Sequence, residues 1–206
     1  MPCFSKFFIL KRNGCRIMEG IDLSFQIFIF LFIVGAVAGL VDSIAGGGGL
    51  IALPALLFVG LPPQLALGTN KLQGCFGTFS ASYNFVRTGH VSLRGASSGI
   101  IFTLLGAGLG AWLVQQLSAG FTQYLIPVML CIVFLYIMLS PRLGFEERGA
   151  KMSIFAFSLV FGMSLGFYDG FFGPGTGSFW TMACMTMMGM NMTRASGYTK
   201  IMNFTQ

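Results

Sequence analysis

One motif occurs twice in this chain, and each copy sets a carboxylate beside a helix-breaking glycine cluster inside an apolar stretch. Gly39-Leu40-Val41-Asp42-Ser43-Ile44-Ala45-Gly46-Gly47-Gly48-Gly49 recurs as Gly166-Phe167-Tyr168-Asp169-Gly170-Phe171-Phe172-Gly173-Pro174-Gly175-Thr176-Gly177. The surrounding sequence is apolar enough to sit in a bilayer, where a charge is expensive and marks a functional site by default. Two such charges in matching positions point to a duplicated, pseudosymmetric membrane protein with a central site.

Hydropathy carries the same message. Of 206 residues 55% are hydrophobic and only 9% charged, with mean hydropathy +0.80, whereas a soluble domain carries about 25% charged residues. The stretches 95–117, 121–139 and 152–168 have the length of a crossing, about 17–25 residues, and 25–41 holds Gln26 as its single strongly polar residue. Shorter apolar runs at 50–60, 72–86 and 178–192 follow the motifs directly. The expected fold is all-α: a multi-pass protein of the cell inner or plasma membrane, with two inverted repeats, glycine-broken helices and the lipid bilayer as solvent.

The net charge of +6 comes mainly from basic residues at 6–16, 87–94 and 142–151. These flank the hydrophobic spans, where positive charge sets topology, so no nucleic-acid partner is expected. The five cysteines are scattered without a CxxC pair, and His90 is the lone histidine. Metal-ligand spacing is therefore absent, and neither metal nor cofactor is expected.

The two copies align beyond the motif. Asp42 matches Asp169, Gly46 matches Gly173 and Gly48 matches Gly175. After a two-residue slip Gly60 pairs with Gly189, Ala66 with Ala195, Gly68 with Gly197 and Lys71 with Lys200. Crossings are expected at about 24–42, 49–60, 64–86, 95–118 and 121–140 before the repeat restarts at 152. An odd count inverts the second copy relative to the first, and with the basic loops 87–94 and 142–151 on the cytoplasmic side the hairpin between them returns to the same side, as it must. Met18-Glu19-Gly20 reads as the more natural amino terminus. The expected division is therefore an extension over 1–17, a first repeat over 18–151 and a second, incomplete repeat over 152–206, whose closing helices are missing after Gln206.

Glycine costs a helix about 0.8–1 kcal/mol relative to alanine, and Pro174 clashes with the preceding turn, so both helices break at the motifs. A break leaves backbone N–H groups and a new half-helix N-terminus, both of which attract anions. The half-helices are expected at 50–60 and 178–189. Anion contacts are thus expected from Gly46, Gly47, Gly48 and Gly49, and from Gly173, Gly175, Thr176, Gly177 and Ser178. Lys71 and Lys200 add positive charge, with Thr69, Asn70 and Asn203 on adjoining turns. A lysine in this setting neutralises an aspartate, binds the anion directly or is pinned by the facing repeat. Asp42 and Asp169 are poor anion ligands while ionised, which leaves them proton coupling, through a pKa raised by burial, or a structural pairing with lysine. The glycine runs are not a P-loop, because no Gly-Lys-Ser/Thr follows and no strand precedes. The many phenylalanines and methionines read as packing and lipid-facing residues.

These residues resemble a known family. Gly39-x-x-Asp42, Ala45 to Gly49, Pro54, Gly60 and Gly68-Thr69-Asn70-Lys71 are similar to the first signature of the TauE/SafE sulfite exporters. The stretch Gly166 to Gly177, continued by Lys200-x-x-Asn203-Phe204, is similar to the second. The resemblance covers about residues 24–206. It implies a permease for sulfite, organosulfonates or other small anions, with the glycine clusters and the Asp and Lys positions as site candidates. A transporter working by alternating access is the expectation, with an anion channel, a non-transporting membrane subunit and an inactive fragment as its competitors. An enzyme is not expected, since no nucleophile–base pair or metal cluster is evident.

Overall fold

A computed structural model describes residues 25–45, 47–139 and 149–206, and among these the chain is helical with no strand. The expected extension 1–17, Gly46 and most of the basic loop 142–151 lie outside the described residues. Helix α1 (Phe25–Ala45) runs to the first glycine cluster, and α2 (Gly49–Phe58) resumes after it. Then come α3 (Pro63–Arg87), α4 (Leu93–Gln116) and α5 (Ala119–Leu139). The second copy begins with α6 (Ile154–Phe157), which passes through one π-helical turn at Ser158–Gly162 into α7 (Met163–Phe171). After the second break follow α8 (Thr176–Met187) and α9 (Met192–Thr205).

Both half-helices end on a left-handed glycine, Gly60 at φ 87° and Gly189 at φ 63°. Only glycine takes this conformation without a Cβ penalty, which is why it closes helices. At α2 the closure is complete, with Gly60 N–H donating to Leu57 and Leu61 N–H to Leu56. The helices that follow start alike. Pro63 supplies the fixed φ of a first helical residue, and Asn191 caps α9 by accepting from Arg194 N–H at 2.9 Å. Ala66 and Ala195, one turn further on, are both fully buried.

Two apolar clusters form, one around each half-helix. Leu53 and Leu56 of α2 pack with Ala66, Ile126, Val133 and Phe172. Trp180 and Cys184 of α8 pack with Ala96, Phe157, Ala195, Ile201 and Met202. The copies interlock, because Phe172 of the second lies in the cluster of the first and Ala96 of the first in that of the second.

The closest helix pair is α4 against α7, and it depends on missing side chains. A Cβ on Gly106 or Gly110 would strike the carbonyls of Met163 or Phe167, and one on Gly166 or Gly170 would strike those of Thr103 or Ala107. Lipid gives apolar helices no reason to pair, so backbones that approach through small residues supply the contact.

Among the described residues three helices are long and apolar enough to cross a membrane: Phe25–Ser43, Leu93–Gln116 and Ile154–Phe171. Gly49–Phe58 and Gly120–Tyr136 are apolar but shorter. Helix α3 is long enough yet too polar for that set, and its Asn70, Lys71, Gln73 and Thr78 line a cavity. Large apolar side chains such as Phe28, Phe32, Leu104, Phe134 and Val160 stay exposed, as suits a surface solvated by lipid tails.

Candidate functional site

The two helix breaks meet. A Cβ on Gly49 would lie 3.4 Å from the Cα of Pro174 and 2.9 Å from the Asn70 carboxamide. Between and beneath them α1, α2, α3, α7, α8 and α9 line an open-sided cavity of about 570 Å³. Its wall carries Asp42, Gly48, Gly49, Asn70, Lys71, Asp169, Gly173, Gly175, Thr176, Gly177 and Asn203.

The aspartates and lysines pair across the copies. The Lys71 ammonium of the first copy donates to the Asp169 carboxylate of the second. Conversely, the Lys200 ammonium of the second copy donates to the backbone carbonyl of Asp42 in the first. Equivalent residues thus exchange partners reciprocally, the contact rule of a two-fold axis. The chemistry differs between the two contacts. Lys71 meets a carboxylate, whereas Lys200 meets a carbonyl in the last turn of α1, where a cation complements the negative end of a helix.

Exposure separates the lysines further. The Lys71 side chain is 32% exposed and faces the cavity, while Lys200 is 2% exposed and lies behind the wall. Among the described wall residues the charged groups are Asp42, Lys71 and Asp169, so Lys71 is the one cation on that wall. Asn203 adds a buried carboxamide oxygen with no hydrogen-bond partner. A carboxamide reverses end for end without changing shape, so it presents either acceptor or donor to a ligand.

Local sequence builds each break. In the second, Gly173 and Gly175 take φ values of 97° and 86°, and Pro174 brings no N–H that would need a partner. Thr176 donates its hydroxyl to the Gly173 carbonyl, and the Tyr168 hydroxyl donates to the Pro174 carbonyl at 2.8 Å. In the first, Gly48 keeps right-handed helical geometry, φ −55°, and its N–H donates to the Asp42 carboxylate at 3.3 Å.

Several expected contacts lie elsewhere. Thr69 is exposed and returns its hydroxyl to Leu65 on its own helix, because position 69 sits away from the face that holds Asn70 and Lys71. Gly47 and Ser178 do not line the cavity, Lys200 lies behind its wall, and Gly46 is outside the described residues. The ring of free backbone donors is smaller than expected, since the N–H groups of Leu50, Ile51, Thr176 and Ser178 close onto carbonyls within the breaks. Sequence reading also missed Gln206 and Trp180. With its amide set to satisfy its neighbours, Gln206 donates to Asp169 at 3.0 Å and accepts from the Trp180 indole at 2.9 Å. No motif spacing signalled that pair.

Comparison with known proteins now decides the family. Residues 31–205 match the sulfite exporter TauE/SafE family. The chain belongs to the TauE/SafE family. This TauE/SafE chain is 45% identical over 184 residues to a protein of Haemophilus influenzae named "probable membrane transporter protein", covering 89% of itself and 72% of that relative. It is 44% identical over 175 residues to the Escherichia coli K12 protein YfcA, which carries the same description, covering 85% of itself and 65% of YfcA. A more distant relative is the sulfite exporter TauE/SafE family protein 6 of Arabidopsis thaliana, 27% identical over 130 residues and matched over 30% of its length. The chain therefore spans roughly two thirds of the bacterial relatives it matches. No solved structure matches it.

Proposed function

We propose that this chain forms the anion site of a multi-pass secondary transporter in the inner or plasma membrane, moving a small oxyanion of the sulfite or organosulfonate type without a chemical step. The observation that carries this is a cavity between two broken helices whose half-buried cation, Lys71, is held by a carboxylate of the opposite copy. An anion entering that cavity competes with Asp169 for Lys71, and Asn70 and Asn203 supply amide donors beside it. Substrate sites at the meeting of two broken helices are the recurring plan of repeat-built transporters. The reciprocal Asp–Lys contacts favour a two-fold relation between the copies, and the five crossings expected from the sequence ahead of residue 152 would lay that axis in the membrane plane. Alternating access is then a rocking of one copy against the other around the paired breaks. The names of the relatives, transporters and sulfite exporters, agree with this assignment.

The test is uptake of radiolabelled sulfite into proteoliposomes holding the purified chain. Saturable uptake that accelerates when the vesicles are preloaded with unlabelled sulfite is expected of a transporter. Unsaturating sulfite current would instead make the cavity a pore, and uptake no faster than in empty vesicles would end the transport assignment.

A further inference from the structure

Transport of an anion through this cavity poses a charge problem at Asp169. Its side chain is 9% exposed, and its polar contacts among the described residues, the Lys71 ammonium and the Gln206 amide, fall on the same oxygen, Oδ2. If an anion takes Lys71, Asp169 is left as a buried negative charge beside a second one, which a low-dielectric site tolerates poorly. Asp42 has no such conflict, because its carboxylate accepts the Gly48 N–H and Lys200 serves its backbone carbonyl.

We propose that Asp169 is the proton carrier of the transport cycle, exchanging Lys71 for a proton each time an anion binds. The inference rests on the anion-transport assignment above and adds its coupling ion. In the loading step the Lys71–Asp169 ion pair breaks and a proton from water bonds to Asp169 Oδ2. Lys71 keeps its three protons and turns to the anion. On release the anion leaves, the proton returns to water and the ion pair re-forms. Before loading, Lys71, Lys200, Asp42 and Asp169 sum to zero formal charge. Afterwards a monoanion has joined and Asp169 is neutral, so the sum is again zero. A loaded site that carries no more charge than the empty one crosses the bilayer on equal electrostatic terms.

The groups around Asp169 allow this assignment. Helix α3 brings Lys71, and Gln206 follows the end of α9, with Lys200 behind the wall. On α7 itself the neighbouring Tyr168 hydroxyl is committed to Pro174. Asp42 of α1 shares the cavity. Helix α8 contains no charged residue, and the one charged residue of α4, Arg94, lies at its far amino end.

The experiment is calorimetric titration of sulfite into the detergent-purified chain, in buffers of differing ionisation enthalpy, for wild type and Asp169→Asn. The slope against buffer enthalpy counts protons taken up per anion bound, and the protonation of sulfite itself is common to both proteins. Wild type is expected to take up about one proton more than Asp169→Asn. Equal counts overturn the proton assignment while leaving an anion site in place. Absence of sulfite binding to folded wild type overturns the transport assignment and this inference with it. If Asp169→Asn does not elute as a folded species, Asp169→Glu replaces it. Proton uptake of about one in both wild type and Asp169→Glu, after subtracting that of sulfite, supports the carrier, and zero in both refutes it.

Discussion

The two helix breaks carry matching motifs but hold themselves together differently. The second, Gly173-Pro174-Gly175-Thr176, satisfies its own backbone through two left-handed glycines, a proline without a donor, and the Thr176 and Tyr168 hydroxyls. Its carboxylate is thereby free to face a cation. The first, Gly46 to Gly49, has neither the proline nor the hydroxyl, and it spends its carboxylate on the Gly48 N–H. Its lysine partner is left to cap the end of α1. A small change in turn chemistry thus turns one symmetric pair of contacts into a cavity-facing ion pair on one side and a buried cap on the other. Matching motifs need not share their duties equally even where the aspartate and the lysine occur in both.

Substitution of the break glycines tests this contrast most severely. In Gly48→Ala the new Cβ meets the Ala38 carbonyl oxygen and the Asp42 side chain, so a backbone shift costing about 1–3 kcal/mol is expected. Gly48→Asn should fare no better. Gly175→Ala has a different fault, a left-handed conformation costing about 1–2 kcal/mol, and Gly175→Asn should recover part of that because asparagine tolerates it. Thermal unfolding of the four variants in detergent reads the outcome. Equal rescue by asparagine at both positions would show the breaks to be alike.

Tyr168→Phe removes the hydroxyl that braces the second break at Pro174. A loss of about 0.5–1.5 kcal/mol is expected, visible as a lower melting temperature with the protein still folded. The first break has no hydroxyl brace among its described contacts, so an unchanged melting temperature would remove this part of the contrast. The smallest effect belongs to Thr69→Val. The side chain is exposed and bonded within α3, so stability should stay within about 0.5 kcal/mol and sulfite flux should match wild type. A clear fall in flux would bring Thr69 back into the site.

Much of this was legible in the chain, for identifiable reasons. Glycine and proline act locally, so both breaks, the half-helices and the stop signals at Gly60 and Gly189 could be read from composition and spacing. The matching of Asp42 with Asp169 and of Lys71 with Lys200 followed from offset alone. Which lysine meets which aspartate could not, because the contacts span 98 and 158 residues and depend on how the copies pack. The same limit hid Gln206 and Trp180. The α4–α7 interface was hidden in another way. Gly106-x-x-x-Gly110 and Gly162-x-x-x-Gly166-x-x-x-Gly170 are visible spacings, but in a glycine-rich membrane protein they do not name their partner. The expected ring of backbone anion donors was overdrawn, because a break that must satisfy itself uses up the donors it exposes.

The central claim is that the duplicated lysines have divided their labour, Lys71 meeting the anion and Lys200 holding the fold. Sulfite affinity and melting temperature measured together for Lys71→Gln and Lys200→Gln test it most directly. Lys71→Gln should weaken sulfite binding by about tenfold or more, as expected for losing a hydrogen bond to a charged group worth roughly 1.5–3 kcal/mol, with a modest change in melting temperature. Lys200→Gln should lower the melting temperature more and, in the protein that remains folded, weaken binding less. The reverse pattern, or identical losses in both variants, would contradict the account.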